Sequence, residues 1–300
     1  MSEWVKYIET FGEELDFPNR AIETLQAAYH ALAECDAFPW WEALMADYEA
    51  GEDPDWQKML ARLSDVAEEL DLSSYTLHLL AFVLLSRPLW DRYQKADIPY
   101  PVWRSSMEDL RCKLEECEAL HGVVGTFVAP WISRFFVPTC YGLGRLEFEA
   151  GVLSRAWLLA GCVYPTKTPV IKVHIPSKGK LCVEDCKAAF SRAVAFYRAR
   201  HPELVRDGKL LFTCHSWLLD PRLASILPPT SNILKFASLF HIMEATQAEK
   251  NDCMWRIYGR DYRNAPADLP RDTALRRAYA DFLAAGNLPG EGYGLRIEQV

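Results

Sequence analysis

Three hundred residues, half of them apolar and a quarter charged, describe a globular chain with enough length for two domains and a real core. The net charge of −8 divides into −15 over residues 1–120 and +7 over residues 121–300, so an anionic ligand is expected in the second part, which is still too weakly and diffusely basic for nucleic acid. No apolar run is long enough for membrane insertion, no basic-then-apolar leader opens the chain, and nine cysteines without regular spacing suit reduced thiols in a cytoplasm.

Helix follows helix from Met1 to about Leu120. Apolar residues recur at Ile22, Leu25, Ala28, Tyr29 and Leu32, and again at Met59, Leu60, Leu63, Val66, Ala67 and Leu70. Residues 73–85 are apolar nearly all round, which predicts a helix buried on most faces. Pro88, Pro99 and Pro101 are expected to interrupt, before a helix over 105–120 with Ser106 as its N-cap ahead of Glu108 and Asp109. The pattern predicts a helical domain over 1–121 and a second domain over 122–300.

In that second part Leu143 to Glu149 alternates strictly, placing Leu146 and Phe148 on one face and Arg145, Glu147 and Glu149 on the other. Strands are predicted over 152–164 and 170–175, in a locally antiparallel meander. Pro176 ends the latter, Ser177-Lys178-Gly179-Lys180 makes a tight basic turn, and a helix runs from Glu184 to Arg200. Its face is Val183, Cys186, Phe190, Val194 and Tyr197. A turn delivering backbone N–H groups and two lysines to a helix start suits a phosphate or diphosphate; the plain reading is an ordinary strand–turn–helix connection. A strand over 209–219 follows, parallel to 170–175 through a right-handed crossover. Next come a helical turn at Asp220-Pro221, a helix over 231–240 capped by Ser231, and a strand pair over 241–246 and 253–258. A helix over 273–285 closes at Gly286, and the residues beyond it, with four glycines between Gly286 and Gly294, read as loop.

The segments Gly144-Arg145-Leu146-Glu147-Phe148-Glu149, Val173-His174-Ile175-Pro176-Ser177-Lys178-Gly179-Lys180-Leu181 and Cys214-His215-Ser216-Trp217-Leu218-Leu219 carry a family resemblance. Ser231-Asn232-Ile233-Leu234-Lys235-Phe236 and Leu269-Pro270-Arg271-Asp272-Thr273-Ala274-Leu275-Arg276-Arg277 extend it. Together they resemble the bacterial acyltransferases that join a helical N-acyltransferase N-terminal domain to a GNAT-like C-terminal domain. The resemblance implies an α+β fold, a helical domain followed by a mixed central sheet flanked by helices. It also implies acetyl-CoA or a longer acyl-CoA as co-substrate, a small-molecule amine as acceptor and no metal. Coenzyme A would lie where the strands over 170–175 and 209–219 splay. The cofactor-binding residues implied are Ile175, Ser177, Lys178, Gly179, Lys180, Leu181, Ser216 and Asn232. The turn departs from the superfamily pattern of spaced glycines, having only Gly179.

Aminolysis of a thioester needs a base for the amine and a proton for the thiolate. His174, at a strand end, and His215, on the neighbouring strand, are the imidazole candidates; Glu147 and Glu149 share one face of the earlier strand. The alternatives are structural histidines, and glutamates that face solvent or pair with Arg145 or Arg155. Cys214 and His215, adjacent in a strand, point to opposite faces and make no nucleophile–base pair, and Cys182 and Cys186 lack partners at zinc-site spacing. A silent binding module, or transfer to a hydroxyl or thiol, fits the same pocket.

Overall fold

The apolar repeats of the first part become helices in the computed structural model, which describes residues 2–248 and 254–300. Two units result, Met1–Gly142 and Leu143–Val300, so the boundary expected after residue 121 falls inside the first.

The first unit contains α1 (Glu3–Glu14), α2 (Asn19–Glu34), α3 (Phe38–Ala50), α4 (Trp56–Glu69), α5 (Ser74–Lys95), α6 (Tyr100–His121), α7 (Ala129–Phe136) and the short β1 (Cys140–Gly142). Buried residues circle α5 from Leu77 to Leu85, as its all-round apolar sequence demands. Pro88 does not end α5. It is buried with Leu89 and Tyr93, and packing outweighs the backbone hydrogen bond it forfeits. Pro99 and Pro101 open α6 rather than break it, since a first helical turn needs no N–H donors. Ser106 therefore lies mid-helix instead of capping: its hydroxyl donates to the Val102 carbonyl and accepts from the Gly142 N–H, each at 2.8 Å.

The second unit contains β2 (Glu147–Val152), β3 (Trp157–Leu159), β4 (Cys162–Tyr164), β5 (Pro169–His174), α8 (Val183–Arg200), β6 (Lys209–Ser216), α9 (Asn232–Ala237), β7 (His241–Gln247), α10 (Trp255–Tyr258), α11 (Ala274–Ala284) and β8 (Gly290–Gln299). Its sheet runs β2-β5-β6-β8-β7, with β5 and β6 parallel and the other neighbours antiparallel. On one face Phe148, Phe190, Phe212 and Phe240 meet at centroid distances of 5.3–5.8 Å, which seats α8 against the strands. The Tyr197 hydroxyl donates to the Phe148 carbonyl at 2.8 Å and pins the far end of that helix.

Four segments depart from the sequence reading. The strand expected over 152–164 is the end of β2 plus the β3–β4 hairpin, which turns at Ala160 (φ 50°) and Gly161 (φ 80°). Trp217–Leu219 leaves the strand as a tight turn begun by Ser216, whose Oγ accepts from the Leu218 N–H at 3.2 Å. Of the pair over 241–246 and 253–258 only the first is a strand; Trp255–Tyr258 is helical and Cys253 lies outside the described residues. Finally, the glycine-rich stretch taken for loop is β8, threaded between β6 and β7. Gly290, Gly292 and Gly294 strip one of its faces of side chains. A Cβ on Gly292 would strike the Leu219 carbonyl, and one on Gly294 would come within 2.8 Å of Phe240.

Candidate functional site

β5 and β6 are in register only at Ile171–Phe212 and Lys172–Thr213. Beyond those pairs β5 follows β2, as far as His174 opposite Glu147, and β6 follows β8, as far as Ser216 opposite Gly292. The inner edges at Val173–His174 and Cys214–Ser216 thus part from one another. A parted parallel pair turns main-chain donors and acceptors toward the gap, where an extended ligand takes the place of a strand.

The turn below the gap is held by Arg145. Its guanidinium donates to the carbonyls of Pro176 (2.9 Å), Lys180 (3.3 Å) and Gly179 (3.5 Å). In a planar trans peptide the N–H points opposite to the C=O. Drawing those three carbonyls onto Arg145 therefore aims the N–H groups of Ser177, Leu181 and Lys180 away from it. The Gly179 N–H is used inside the turn, donating to the Ser177 carbonyl at 3.1 Å, and the Cys182 N–H likewise to Lys180 at 3.1 Å. Gly179 serves by its φ of +57°, with open space where a Cβ would stand. Ser177, Gly179 and Lys180 are exposed; Ile175, Lys178 and Leu181 are half-buried. The start of α8 brings its own carboxylates, Glu184 and Asp185, which makes the helix end less suited to an anion than the turn before it. Asn232 stands exposed as the first residue of α9, whose start is capped by Ser231.

On the sheet face opposite α8, Glu147 and Glu149 are not a solvent face: they are 1 % and 9 % exposed. His174 Nε2 donates to Glu149 Oε2 at 2.9 Å, and Lys172 Nζ lies 3.7 Å from Oε1 of the same carboxylate. Gly151 makes room for this, because a Cβ there would press on Lys172 Cε at 2.7 Å. Of the two arginines on the neighbouring segments, Arg145 grips the turn, and Arg155 binds Glu244 through both oxygens at 2.7 and 2.8 Å. His215 has Nε2 2.7 Å from Glu291 Oε2 and its ring stacked on Tyr293 at 3.8 Å and 7°. Burial pushes the Cys214 thiol up to about 12 and the Cys186 thiol up to about 11, so neither is a thiolate nucleophile near neutrality. Among the described residues no group of three His, Cys, Asp or Glu side chains is arranged to hold a metal, and no helix is long and apolar enough to cross a membrane.

Sequence reasoning named His174, Glu149 and the turn as candidates, and named neither Arg145 as the residue that holds the turn nor Glu291 and Tyr293. The alternation of glycine with Glu291, Tyr293 and Leu295 was the available signal for the last two.

A parallel strand pair that parts at its carboxyl end, above a basic turn entering a helix, defines a GNAT-like acyltransferase fold. The description "GNAT-like C-terminal domain" matches residues 140–296 and "N-acyltransferase N-terminal domain" matches residues 6–137; the chain belongs to the family that joins these two domains. In fold it is similar to an acyltransferase solved in complex with decanoyl-CoA and teicoplanin, with a TM-score of 0.73 at 18 % identity over 96 % of this chain and 87 % of that one. An acyltransferase in complex with CoA and 10C-Teicoplanin gives 0.71 at 18 %, over 96 % and 86 %. One in complex with decanoyl-CoA gives 0.65 at 20 %, over 96 % and 98 %. No curated protein matches.

Proposed function

We propose that this protein moves an acyl group from coenzyme A to a primary amine on a small molecule. The observation that carries the reading is the parting of β5 from β6 beyond Lys172 and Thr213, directly above the Arg145-anchored turn. The diphosphate binds the outward N–H groups of Ser177, Lys180 and Leu181 with Lys178 and Lys180 for charge, and the pantetheine arm lies between the parted edges, near Ile175, Ser216 and Asn232. Decanoyl-CoA in complexes of the same fold favours a medium-chain donor, and free thiols at every described cysteine suit a cytoplasm.

In the reaction the amine nitrogen attacks the thioester carbonyl carbon. A C–N bond forms and the C–S bond breaks, giving an amide and the CoA thiol. The proton shed by nitrogen as the amide forms is taken by His174 and returned to the departing sulfur. Glu149, buried against that imidazole, supports the imidazolium between the two transfers. The same buried pair favours catalysis over a silent binding role. Calorimetric titration with CoA, acetyl-CoA, octanoyl-CoA and decanoyl-CoA tests the reading. Binding of at least one acyl-CoA is expected, and failure of all of them overturns it.

A further inference from the structure

A protonated amine sheds two protons on becoming an amide. The CoA sulfur takes one, so one must leave to solvent, and His174 acting between nitrogen and sulfur does not account for it. Two features separate the histidines. The His215 side chain is 46 % exposed against 22 % for His174, so His215 is the imidazole that exchanges protons with water. It also has its own assembly, drawn from β8, β7 and the loop before β3. The Glu291 carboxylate lies 2.7 Å from its Nε2, and the Tyr293 ring lies flat against the imidazole. Arg155 sits 5.3 Å from the centre of the Tyr293 ring and is itself gripped by both oxygens of Glu244. The bare face of β8 packs closely at this point, since a Cβ on Gly292 would strike the Leu219 carbonyl, and Tyr293 lies opposite His215 in register.

We infer that His215 takes the first proton from the incoming ammonium and releases it to water, with Glu291 and Tyr293 as the positioning residues that hold its ring. This rests on the acyl-CoA reading above. The step balances: ammonium and neutral imidazole become free amine and imidazolium, and the imidazolium proton passes to solvent. The charged or titratable groups on this sheet face include Glu291 and Tyr293 on β8, Glu244 and His241 on β7, Arg155 from the loop, Lys209 on β6, Lys172 and His174 on β5, and Glu147 and Glu149 on β2.

The test compares two acceptors on the full chain with decanoyl-CoA at neutral pH: a primary alkylamine, which arrives protonated, and an aromatic amine of low basicity, which arrives neutral. His215→Ala is expected to lower kcat/KM for the alkylamine about 100-fold and for the aromatic amine less than about 3-fold. Added imidazole should restore the alkylamine reaction in proportion to its concentration. Glu291→Gln and Tyr293→Leu should each show the same acceptor-dependent split at roughly 10-fold. Equal losses with both amines, or no rescue by imidazole, overturn the assignment. Decanoyl-CoA titration of each variant keeps the two readings apart: binding retained with equal losses sinks His215 alone, whereas a parent protein that binds no acyl-CoA sinks the acyltransfer reading and this one with it.

Discussion

Arg145→Ala tests the candidate cofactor seat without touching any group placed against the reacting atoms. The substitution deletes three N–H donors to turn carbonyls, one at 2.9 Å and two longer at 3.3 and 3.5 Å. A hydrogen bond from a charged donor contributes about 1.5–3 kcal/mol. Counting the shortest in full and discounting the two longer ones for their exposure, the turn loses about 2 kcal/mol of preference for the shape that aims Ser177, Lys180 and Leu181 outward. Ligand binding must then restore that shape, and apparent affinity falls by the population lost, which at 1.4 kcal/mol per tenfold is roughly 30-fold. The assay is calorimetric titration with decanoyl-CoA beside decanoyl-pantetheine, which lacks the diphosphate. Decanoyl-CoA should weaken by that factor and decanoyl-pantetheine should not change. Lysine at 145 should recover little, because one ammonium cannot reach three carbonyls in the manner of a guanidinium fork. A variant that binds decanoyl-CoA within about 3-fold of the parent, or weakens equally for both ligands, refutes the reasoning.

Glu149→Gln removes the carboxylate that supports protonated His174 and should cut kcat about 100-fold while leaving decanoyl-CoA affinity unchanged, as steady-state kinetics and titration would show. Gly292→Ala forces a methyl group into the Leu219 carbonyl and should cost about 1–3 kcal/mol, read as a lowered urea midpoint. Cys214 is held neutral in the folded chain, with its thiol pushed up from an ordinary 9.0 to about 12. The unfolded chain therefore loses that proton first, so stability falls as pH rises between those two values, and a Cys214→Ser chain should lose this part of the alkaline decline in urea titrations. At pH 8 native Cys214 should resist iodoacetamide while exposed Cys162 reacts, which peptide mapping would resolve.

Much of this architecture is written in local patterns. The three- and four-residue apolar steps marked α2, α4 and α8, the all-round apolar run over 73–85 marked α5, and the run from Val170 to Ile175 followed by Pro176 marked the strand and its end. Alternation correctly paired Glu147 with Glu149 on one face and Phe148 on the other. What failed did so for identifiable reasons. Proline reads as a stop, yet at the start of α6 it is harmless, and in α5 burial outweighs it. Glycine reads as a loop, yet on β8 it marks a strand whose one face is pressed by Leu219 and Phe240, a tertiary fact with no local trace. The ion pairs were harder still. Arg145 acts 31 to 35 residues away, and Arg155 reaches Glu244 across 89, separations over which no spacing rule operates. Sequence placed the histidines on adjacent strands; only the fold reveals that each has its own carboxylate.

The placement of β8 sets an order of events during biosynthesis. It must enter between β6 and β7, which have no hydrogen-bonded contact with each other until it arrives, and its residues 290–299 emerge after both. A chain that stops short of Gly290 has neither Glu291 nor Tyr293 to set beside His215. Closing the gap between β6 and β7 and completing the surroundings of His215 are therefore one event.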